Sequence, residues 1–253
     1  MIIAHISDTH IQTEVAACAR SRLEDLSRTV ASINALSPRP TAVLHTGDIA
    51  HDATPADYAA ARSALALLAC PLYATIGNRD RRAPFRAAFA ADGYLENDGG
   101  FVQFAVNLGP LRIVAVDTLD GESPLGAFCP EREVDLRRLL DADPGQPTLV
   151  FLHHSPVLLP DVPGPLQYRD PARAAALVGC IAQCSGVIGV FAGHVHRART
   201  VALGGVTLST VPSIAADLSK EEVADRDAGR PIYHLHTLNR GHVASARILV
   251  PAQ

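Results

Sequence analysis

Short apolar segments alternate with helical stretches along most of this chain, and this alternation restricts its fold more than any other feature. The apolar runs with the character of buried strands are residues 1–7, 41–46, 72–76, 111–117, 148–153 and 186–192. Apolar residues recur at helical spacing in residues 14–36, 55–69, 83–91, 131–141 and 170–184. Pro55 and Pro171 suit helix starts. Strands alternating with helices predict a largely parallel α/β sheet.

A second set of segments departs from this rhythm and predicts antiparallel strands in a second sheet: residues 101–107, 200–211, 231–238 and 242–250. We find no internal repeat and no linker, so residues 1–253 are expected to form a single domain. Two segments fit neither helix nor strand. The proline-rich residues 156–170 are a candidate active-site lid, and the charged residues 217–230 are expected to be a surface excursion.

Composition excludes some classes of partner. The chain has 26 acidic and 22 basic residues and a net charge of -4, which disfavours binding to long nucleic acids or to anionic membranes. It has no run of about 18 apolar residues and no basic N-terminal segment with a cleavage site, so we expect a cytoplasmic protein. The sequence does not fix the oligomeric state, and a homo-oligomer stays open.

Polar residues capable of metal binding follow five of the predicted parallel strands. They are Asp8 and His10 in "SDTH", Asp48 in "TGD", Asn78 in "IGN", His153 and His154 in "LHHS", and His194 and His196 in "GHVH". Ligands bind at the carboxyl ends of strands in open α/β sheets, so these side chains are expected to converge in one cleft.

The residue types at these strand ends suit a particular class of ligand. Carboxylate, amide oxygen and imidazole together favour divalent ions such as Mn²⁺, Fe²⁺ or Zn²⁺. The i, i+2 spacing in "DTH" and "HVH" lets an extended backbone direct both side chains to one side. A glycine precedes Asp48, Asn78 and His194, and it allows the sharp turn that brings a strand-end side chain inward.

Each motif taken alone has a simpler explanation. "SDTH" suits a helix cap, "GD" and "GN" are common turn dipeptides, and "HH" suits a partly buried pair. Their occurrence together, each after a strand, favours a single site over coincidence.

The ordered set "DTH", "GD", "GN", "HH" and "GHVH" resembles the calcineurin-like metallophosphoesterases. "AHISDTHI" and "FLHHSP" resemble the cyclic-nucleotide and glycerophosphodiester phosphodiesterase branch of that family. The resemblance runs from residue 4 to about residue 196. It implies a four-layer α/β/β/α sandwich of two mixed sheets flanked by helices, with two metal ions at one end.

By motif position, the resemblance implies that Asp8, His10 and His196 hold one ion, that Asn78, His153 and His194 hold the other, and that Asp48 bridges them. It also selects His153 over His154 as the ligand, a choice that spacing alone leaves open. A bridging hydroxide would then attack phosphorus in line. The expected substrates are small phosphodiesters, with 3',5'-cyclic nucleotides first and glycerophosphodiesters or phosphomonoesters as alternatives. A non-catalytic metal-binding scaffold is a further alternative.

Arg79 departs from the family pattern, which usually has histidine after the asparagine. A guanidinium grips phosphate oxygens but cannot donate a proton near neutral pH. The leaving-group acid is therefore open, and the candidates for it are His51, His154 and a water on a metal ion. Tyr168 and Arg169 are expected to border the cleft, where they could stack on a base or contact a phosphate, unless their loop serves only for packing.

Overall fold

The predicted alternation of strands and helices is present in the computed structural model, with boundaries that differ by a few residues. The structure describes residues 1–95, 100–162, 167–239 and 241–252, without the side chains of residues 16–20 and 225. The strands are β1 (Ile2–Ile6), β2 (Ala42–His45), β3 (Leu72–Ala74), β4 (Phe104–Leu108), β5 (Leu111–Val116), β6 (Thr148–Leu152), β7 (Val187–Ala192), β8 (Arg199–Leu203), β9 (Val206–Thr210), β10 (Ile232–Asn239) and β11 (His242–Leu249). The α-helices are α1 (Ala16–Asn34), α2 (Pro55–Leu65), α3 (Arg82–Phe89), α4 (Pro130–Asp141) and α5 (Pro171–Gln183).

The strands form two mixed sheets, which confirms the fold class expected from the resemblance. A five-stranded sheet has the order β11-β10-β1-β2-β3, and a six-stranded sheet has the order β4-β5-β6-β7-β9-β8. The parallel strands do not form one sheet. They divide into β1-β2-β3 and β5-β6-β7-β9, and antiparallel strands complete each sheet. The antiparallel segments therefore extend both sheets and do not form a second sheet of their own.

Successive side chains of a strand point to opposite faces of the sheet and so belong to two different apolar clusters. On β6, Leu149 and Phe151 belong to the cluster that also holds Ile3 of the five-stranded sheet. Val150 and Leu152 face the other way and share a cluster with the apolar residues of α4 and α5. The helices α1, α2 and α3 contribute their buried residues to the first cluster. Helix, sheet, sheet and helix thus lie in four layers.

The starts of two helices follow the predicted chemistry. Pro55 and Pro171 occupy the first turns of α2 and α5. Thr54 caps α2, because its hydroxyl accepts from Asp57 N at 3.1 Å while the Asp57 carboxylate accepts from Thr54 N at 3.3 Å. This cap ends the loop that carries Asp48, so the loop enters α2 in a defined direction.

None of the helices in the described part of the chain is both long and apolar enough to cross a bilayer. Of the predicted lid, residues 163–166 lie outside the described residues.

Candidate metal centre

The polar side chains after the parallel strands meet where the carboxyl ends of the two sheets face each other. The loops after β1, β2 and β3 bring Asp8, His10, Asp48 and Asn78 from the five-stranded sheet, and the loops after β6 and β7 bring His153, His194 and His196 from the six-stranded sheet. The structure therefore brings together all seven residues that the family resemblance implied as ligands.

Asp8, His10 and His196 form one half of this cluster. Asp8 Oδ1 lies 3.2 Å from His196 Nε2 and 3.6 Å from His10 Nε2. The two imidazole nitrogens are 3.2 Å apart. Asp8 is buried, and its Oδ1 accepts no well-aligned hydrogen bond from the described residues. A buried carboxylate oxygen without a well-aligned hydrogen bond is costly unless a cation compensates it.

Asn78, His153 and His194 form the other half. Asn78 Oδ1 is 3.0 Å from His153 Nε2 and 2.9 Å from His194 Nδ1. This places one neutral oxygen and two imidazole nitrogens around a common point.

Asp48 lies between the two halves. Its Oδ2 is 3.6 Å from His10 Nε2 and 3.5 Å from His153 Nε2. Its Oδ1 accepts a hydrogen bond of 2.7 Å from Arg79 N, which fixes the carboxylate. One oxygen thus faces a nitrogen of each half, as a bridging ligand requires.

The donor set fits a pair of divalent ions. Metal bonds of about 2.0–2.2 Å to nitrogen and oxygen place neighbouring ligand atoms about 3.0–3.5 Å apart. The distances given above between atoms of two predicted ligands lie between 2.9 and 3.6 Å. Two carboxylates, an amide oxygen and four imidazoles suit ions of intermediate hardness.

The backbone at the site is strained in an unusual way. Five of the seven predicted ligands have positive φ: Asp8 (55°), His10 (44°), Asp48 (55°), His194 (71°) and His196 (56°). Residues with side chains rarely adopt this region, and such strain clusters at functional sites. Hydrogen bonds between the loops after β1 and β2, from Asp8 N to Gly47 O at 3.0 Å and from His10 N to Asp48 O at 2.9 Å, help to hold this backbone.

The glycines before the ligands serve close packing more than turning. Gly47 has positive φ (96°), as the sharp-turn explanation requires. Gly77 and Gly193 do not, but a Cβ at Gly77 would lie 2.2 Å from Asp48 Oδ1, and one at Gly193 would lie 2.0 Å from Ser7 Oγ. At Gly77 and Gly193 any residue with a Cβ would clash, because the neighbouring loops are already in contact with the glycine.

The electrostatics keep both carboxylates ionised. Burial raises the pKa of the Asp8 carboxyl, but the neighbouring His196 and His10 outweigh burial and hold that pKa well below its usual range. The pKa of Asp48 is likewise lowered, because His153 outweighs burial. Burial lowers the pKa of His194 to about 4. Burial also lowers the pKa of His153 and His196, but Asp48 and Asp8 outweigh burial and raise the pKa of His153 to about 9 and that of His196 above its ordinary value. Ionised carboxylates and neutral imidazole are the forms that bind metals, so ion binding at this site would release protons from these two rings.

Main-chain carbonyls orient two of the imidazoles. His153 Nδ1 donates to Thr46 O at 2.7 Å, and His196 Nδ1 donates to Leu218 O at 2.9 Å. In both rings Nε2 is therefore the nitrogen that faces the site.

His154 lies next to the cluster but already has partners. Its Nδ1 is 2.8 Å from Thr118 Oγ1 and its Nε2 is 3.1 Å from Pro124 O. The ring is fully buried, and burial holds its pKa well below the ordinary value. One ring nitrogen also lies within 4.8 Å of ligand atoms of His153 and His194, but the two hydrogen bonds connect the ring to the loop at residues 118–126. Its role as a leaving-group acid stays a prediction.

Arg79 and His51 line an open cleft of about 450 Å³ beside Asn78. The cleft is lined by His51, Asp52, Asn78, Arg79, Arg81, Gly121, Glu122, Ser123 and Pro124. Arg79 is exposed, and within the described residues its guanidinium has no ion pair or hydrogen bond. His51 Nδ1 is 3.3 Å from His10 Nδ1, so the His51 ring contacts a predicted ligand and also lines the cleft.

Tyr168 does not border the cleft in the way the sequence suggested. Its ring is buried, and its hydroxyl donates to His154 O at 3.1 Å. The hypothesis that it stacks on a base is therefore wrong. Arg169 forms ion pairs with Asp120 at 2.8 Å and with the cleft-lining Glu122 at 3.3 Å, and so helps to hold the loop that carries both acids.

Asp80 is a supporting residue that sequence reasoning missed. Its buried carboxylate accepts from Gly77 N at 2.9 Å, Ala50 N at 3.2 Å, Ile49 N at 3.3 Å and Tyr58 OH at 2.8 Å. It therefore ties the loop after β2 to the loop after β3. Its position soon after the predicted ligand was a signal, but an aspartate among three arginines resembles a solvent-exposed charge.

The comparisons with known proteins agree with this geometry. A model of the calcineurin-like phosphoesterase family matches residues 1–198. A probable glycerophosphodiester phosphodiesterase of Arcobacter nitrofigilis is 29% identical over 247 residues, which cover 93% of this chain and 88% of that protein. A probable cyclic nucleotide phosphodiesterase of Rhodopseudomonas palustris is 32% identical over 80% of this chain and 73% of that protein. The fold is similar to that of a dimetal phosphatase from Danio rerio, with a TM-score of 0.73, 14% identity and 99% of each chain covered.

The fold, the family match and the named relatives define a metal-dependent hydrolase of phosphate esters. The chain belongs to the calcineurin-like phosphoesterase family, as its motifs predicted.

Proposed function

We propose that this protein hydrolyses small phosphodiesters at a two-ion centre, with 3',5'-cyclic nucleotides as the first substrates to test. The observation that carries the proposal is the convergence of the seven predicted ligands in one cluster, in which Asp48 Oδ2 faces a nitrogen of each half.

One divalent ion would be held by Asp8, His10 and His196, and the other would be held by Asn78, His153 and His194. Asp48 would bind both ions. When bound, such a pair of ions lowers the pKa of water and neutralises phosphate charge. Mn²⁺, Fe²⁺ and Zn²⁺ all suit this donor set. The protein itself supplies fixed ligands, and the hydrogen bonds to Thr46 O and Leu218 O keep two imidazoles in the tautomer that binds.

Arg79 would bind the nonbridging oxygens of the phosphate. Its guanidinium projects from the residue after Asn78 into the cleft, and the described residues do not neutralise it. A fork of donors beside the reacting phosphate stabilises charge that develops there. Because arginine cannot protonate the leaving oxygen, esters with acidic leaving groups should react faster.

His51 and His154 remain the proposed sources of a leaving-group proton. His51 has the more direct position, because it lines the cleft while His154 has both ring nitrogens in hydrogen bonds.

Two groups of relatives support different small substrates. The relative from Arcobacter nitrofigilis, which matches 93% of this chain, carries a glycerophosphodiester name. The relative from Rhodopseudomonas palustris carries a cyclic-nucleotide name. Glycerophosphodiesters are therefore the second candidate class, and phosphomonoesters are the third. Cytoplasmic location, lack of binding to long nucleic acids and possible self-association stay predictions.

Metal-stripped protein should be assayed with Mn²⁺, Fe²⁺ and Zn²⁺ on bis(p-nitrophenyl) phosphate, cyclic AMP, cyclic GMP, glycerophosphoethanolamine and p-nitrophenyl phosphate. We expect metal-stimulated hydrolysis that Asp48→Asn abolishes. Hydrolysis of the monoester alone would replace the phosphodiester proposal. If no ion binds and no ester is cleaved, the protein is a scaffold of the same fold.

A further inference from the structure

A buried arginine contacts the main chain of one predicted ligand. Arg22 lies on α1, and its side chain is 6% exposed. Its NH1 donates to His10 O at 3.1 Å. Its Nε and NH2 both donate to the Asp217 carboxylate, at 3.2 and 2.9 Å. One guanidinium therefore joins the loop after β1 to a residue 195 positions later in the chain.

Asp217 belongs to a short turn that contacts a second ligand. The turn is the 3-10 helix Ala216–Leu218. Its last residue, Leu218, accepts from His196 Nδ1 at 2.9 Å, and Lys220 N donates to His196 O at 2.8 Å. The start of the predicted surface excursion, residues 217–221, thus packs against the loop after β7.

The Arg22–Asp217 pair consequently braces two loops that each carry a ligand of the same half-site. His10 and His196 come from different sheets and have their Nε2 atoms 3.2 Å apart. Both have positive φ, a conformation that persists only where surrounding contacts impose it. The bidentate fork fixes an orientation as well as a distance, which a single hydrogen bond does not.

We propose that Arg22 and Asp217 are positioning residues that set the affinity of the Asp8–His10–His196 half-site for its divalent ion. The proposal rests on the two-ion centre described above. It assigns neither residue a contact with metal or substrate.

The brace is specific to one half of the centre. The other half is supported by different contacts, from His153 Nδ1 to Thr46 O and from Asp80 to the loops that carry Asp48 and Asn78. Neither Arg22 nor Asp217 makes any of these bonds. Loss of the brace should therefore lower the affinity for one ion and leave the affinity for the other unchanged, whereas general destabilisation of the protein would lower both affinities.

The test measures Mn²⁺ binding to metal-stripped, full-length protein by calorimetric titration, with electron paramagnetic resonance to follow coupling between the ions. Arg22→Met and Asp217→Asn should each weaken one of two binding events by about 10–100-fold, the usual effect of losing a residue that orients a ligand. The double variant should lose little more than either single one, because both changes remove the same brace.

Arg62→Met is the matched control. Arg62 forms a comparable fork on Asp92, at 2.8 and 2.7 Å, between α2 and the residues after α3. It should leave both binding events unchanged. If Arg22→Met fails to fold, the isosteric Asp217→Asn and the charge-retaining Arg22→Lys carry the test, and Lys should restore part of the affinity.

Equal weakening of both events, or no weakening of either, would overturn the proposal. A wild-type protein that binds fewer than two ions would overturn it together with the two-ion centre. No substrate enters the titration, so a protein that binds two ions but cleaves no phosphodiester fails only the proposed function.

Discussion

Gly77→Ala is the most direct test of how tightly the loops after β2 and β3 pack. A Cβ at this position would lie 2.2 Å from Asp48 Oδ1 and 2.4 Å from Asp48 N. The second contact is with backbone, so rotation of a side chain cannot relieve it. The φ of Gly77 is not positive, so alanine meets no intrinsic backbone strain there and the effect isolates packing.

The size of the effect follows from the overlap. Ordinary contact with a Cβ begins near 3.4 Å, so one loop must move by about 1 Å. The movement would separate Arg79 N from Asp48 Oδ1, now 2.7 Å apart, and shift the Asp48 carboxylate relative to Asn78. Overpacking of this kind costs about 1–3 kcal/mol of unfolding free energy. A misplacement of about 1 Å at a reacting centre costs about 100-fold in rate.

The assay compares kcat/KM for bis(p-nitrophenyl) phosphate at saturating Mn²⁺ with urea unfolding of the same variant. Gly179→Ala in α5 is the control, because its added Cβ would meet nothing within 4 Å. It should stabilise the protein by about 0.5–1 kcal/mol, since alanine is the better helix former, and leave kcat/KM unchanged. If Gly77→Ala kept both wild-type stability and wild-type kcat/KM, the close approach of these loops would be refuted.

Three further predictions use the same protein. Arg79→His should raise activity on esters with poor leaving groups relative to nitrophenyl esters by about tenfold or more, and an unmoved ratio would restrict Arg79 to binding or structure. Burial raises the pKa of Asp25 to about 6. Its charged form therefore opposes folding above that pH, and Asp25→Asn should be more stable than wild type by about 1–3 kcal/mol at pH 8, with the gain vanishing near pH 4. Burial lowers the pKa of His236 to about 3. The stability it contributes is present above pH 6.5 and lost on acidification, so His236→Asn should flatten the unfolding free energy below pH 6.5 by about 1.4 kcal/mol per pH unit. An equal slope in both proteins would contradict its neutral burial.

The sequence predicted that these candidate ligands cluster because strand ends are visible in a pattern of apolar residues. Asp8, Asp48 and His194 each follow such a run directly or after one or two residues. Parallel strands all end at one side of their sheet, so position along the chain translates into position in space. No knowledge of strand order was needed for this step.

Strand order itself was not predictable in this way. β10 pairs with β1, and β4 pairs with β5, so antiparallel segments far apart in the chain complete different sheets. Apolar alternation identifies a strand but says nothing about which strand lies beside it. The division of the parallel strands between two sheets therefore came only from the resemblance.

The alternation of side chains along β6 distinguishes His153 from His154, but the sequence does not show which face of β6 meets the other sheet. Side chains alternate along β6, so His153 continues the face of Phe151, which lies between the sheets, and His154 continues the face of Leu152, which packs with α4 and α5. This parity selects His153, but only once it is known which face of β6 meets the other sheet.

The contacts that support the ligands were hidden for a different reason. Leu218 and Thr46 act through main-chain carbonyls, which every residue has, and Arg22 meets Asp217 from 195 positions away. Neither kind of contact leaves a pattern of residue types near the ligand. The predicted ligands can be recognised from the types of side chain that follow the strands. The orientation of those side chains depends on how distant loops pack, which the sequence near them does not show.

The strain at the site and its donor chemistry have one explanation. Five predicted ligands hold positive φ, each at a cost of about 1–3 kcal/mol, and Asp8 Oδ1 is buried without a well-aligned hydrogen bond in the described residues. A fold gains nothing from either feature by itself, because both raise the free energy of the folded chain. Two ions bound by these atoms would recover that energy, since a ligand that binds only the folded state stabilises it. The strained loops, the excluded Cβ atoms and the proposed Arg22–Asp217 brace would then be parts of one arrangement that holds the predicted ligands in place before ions bind.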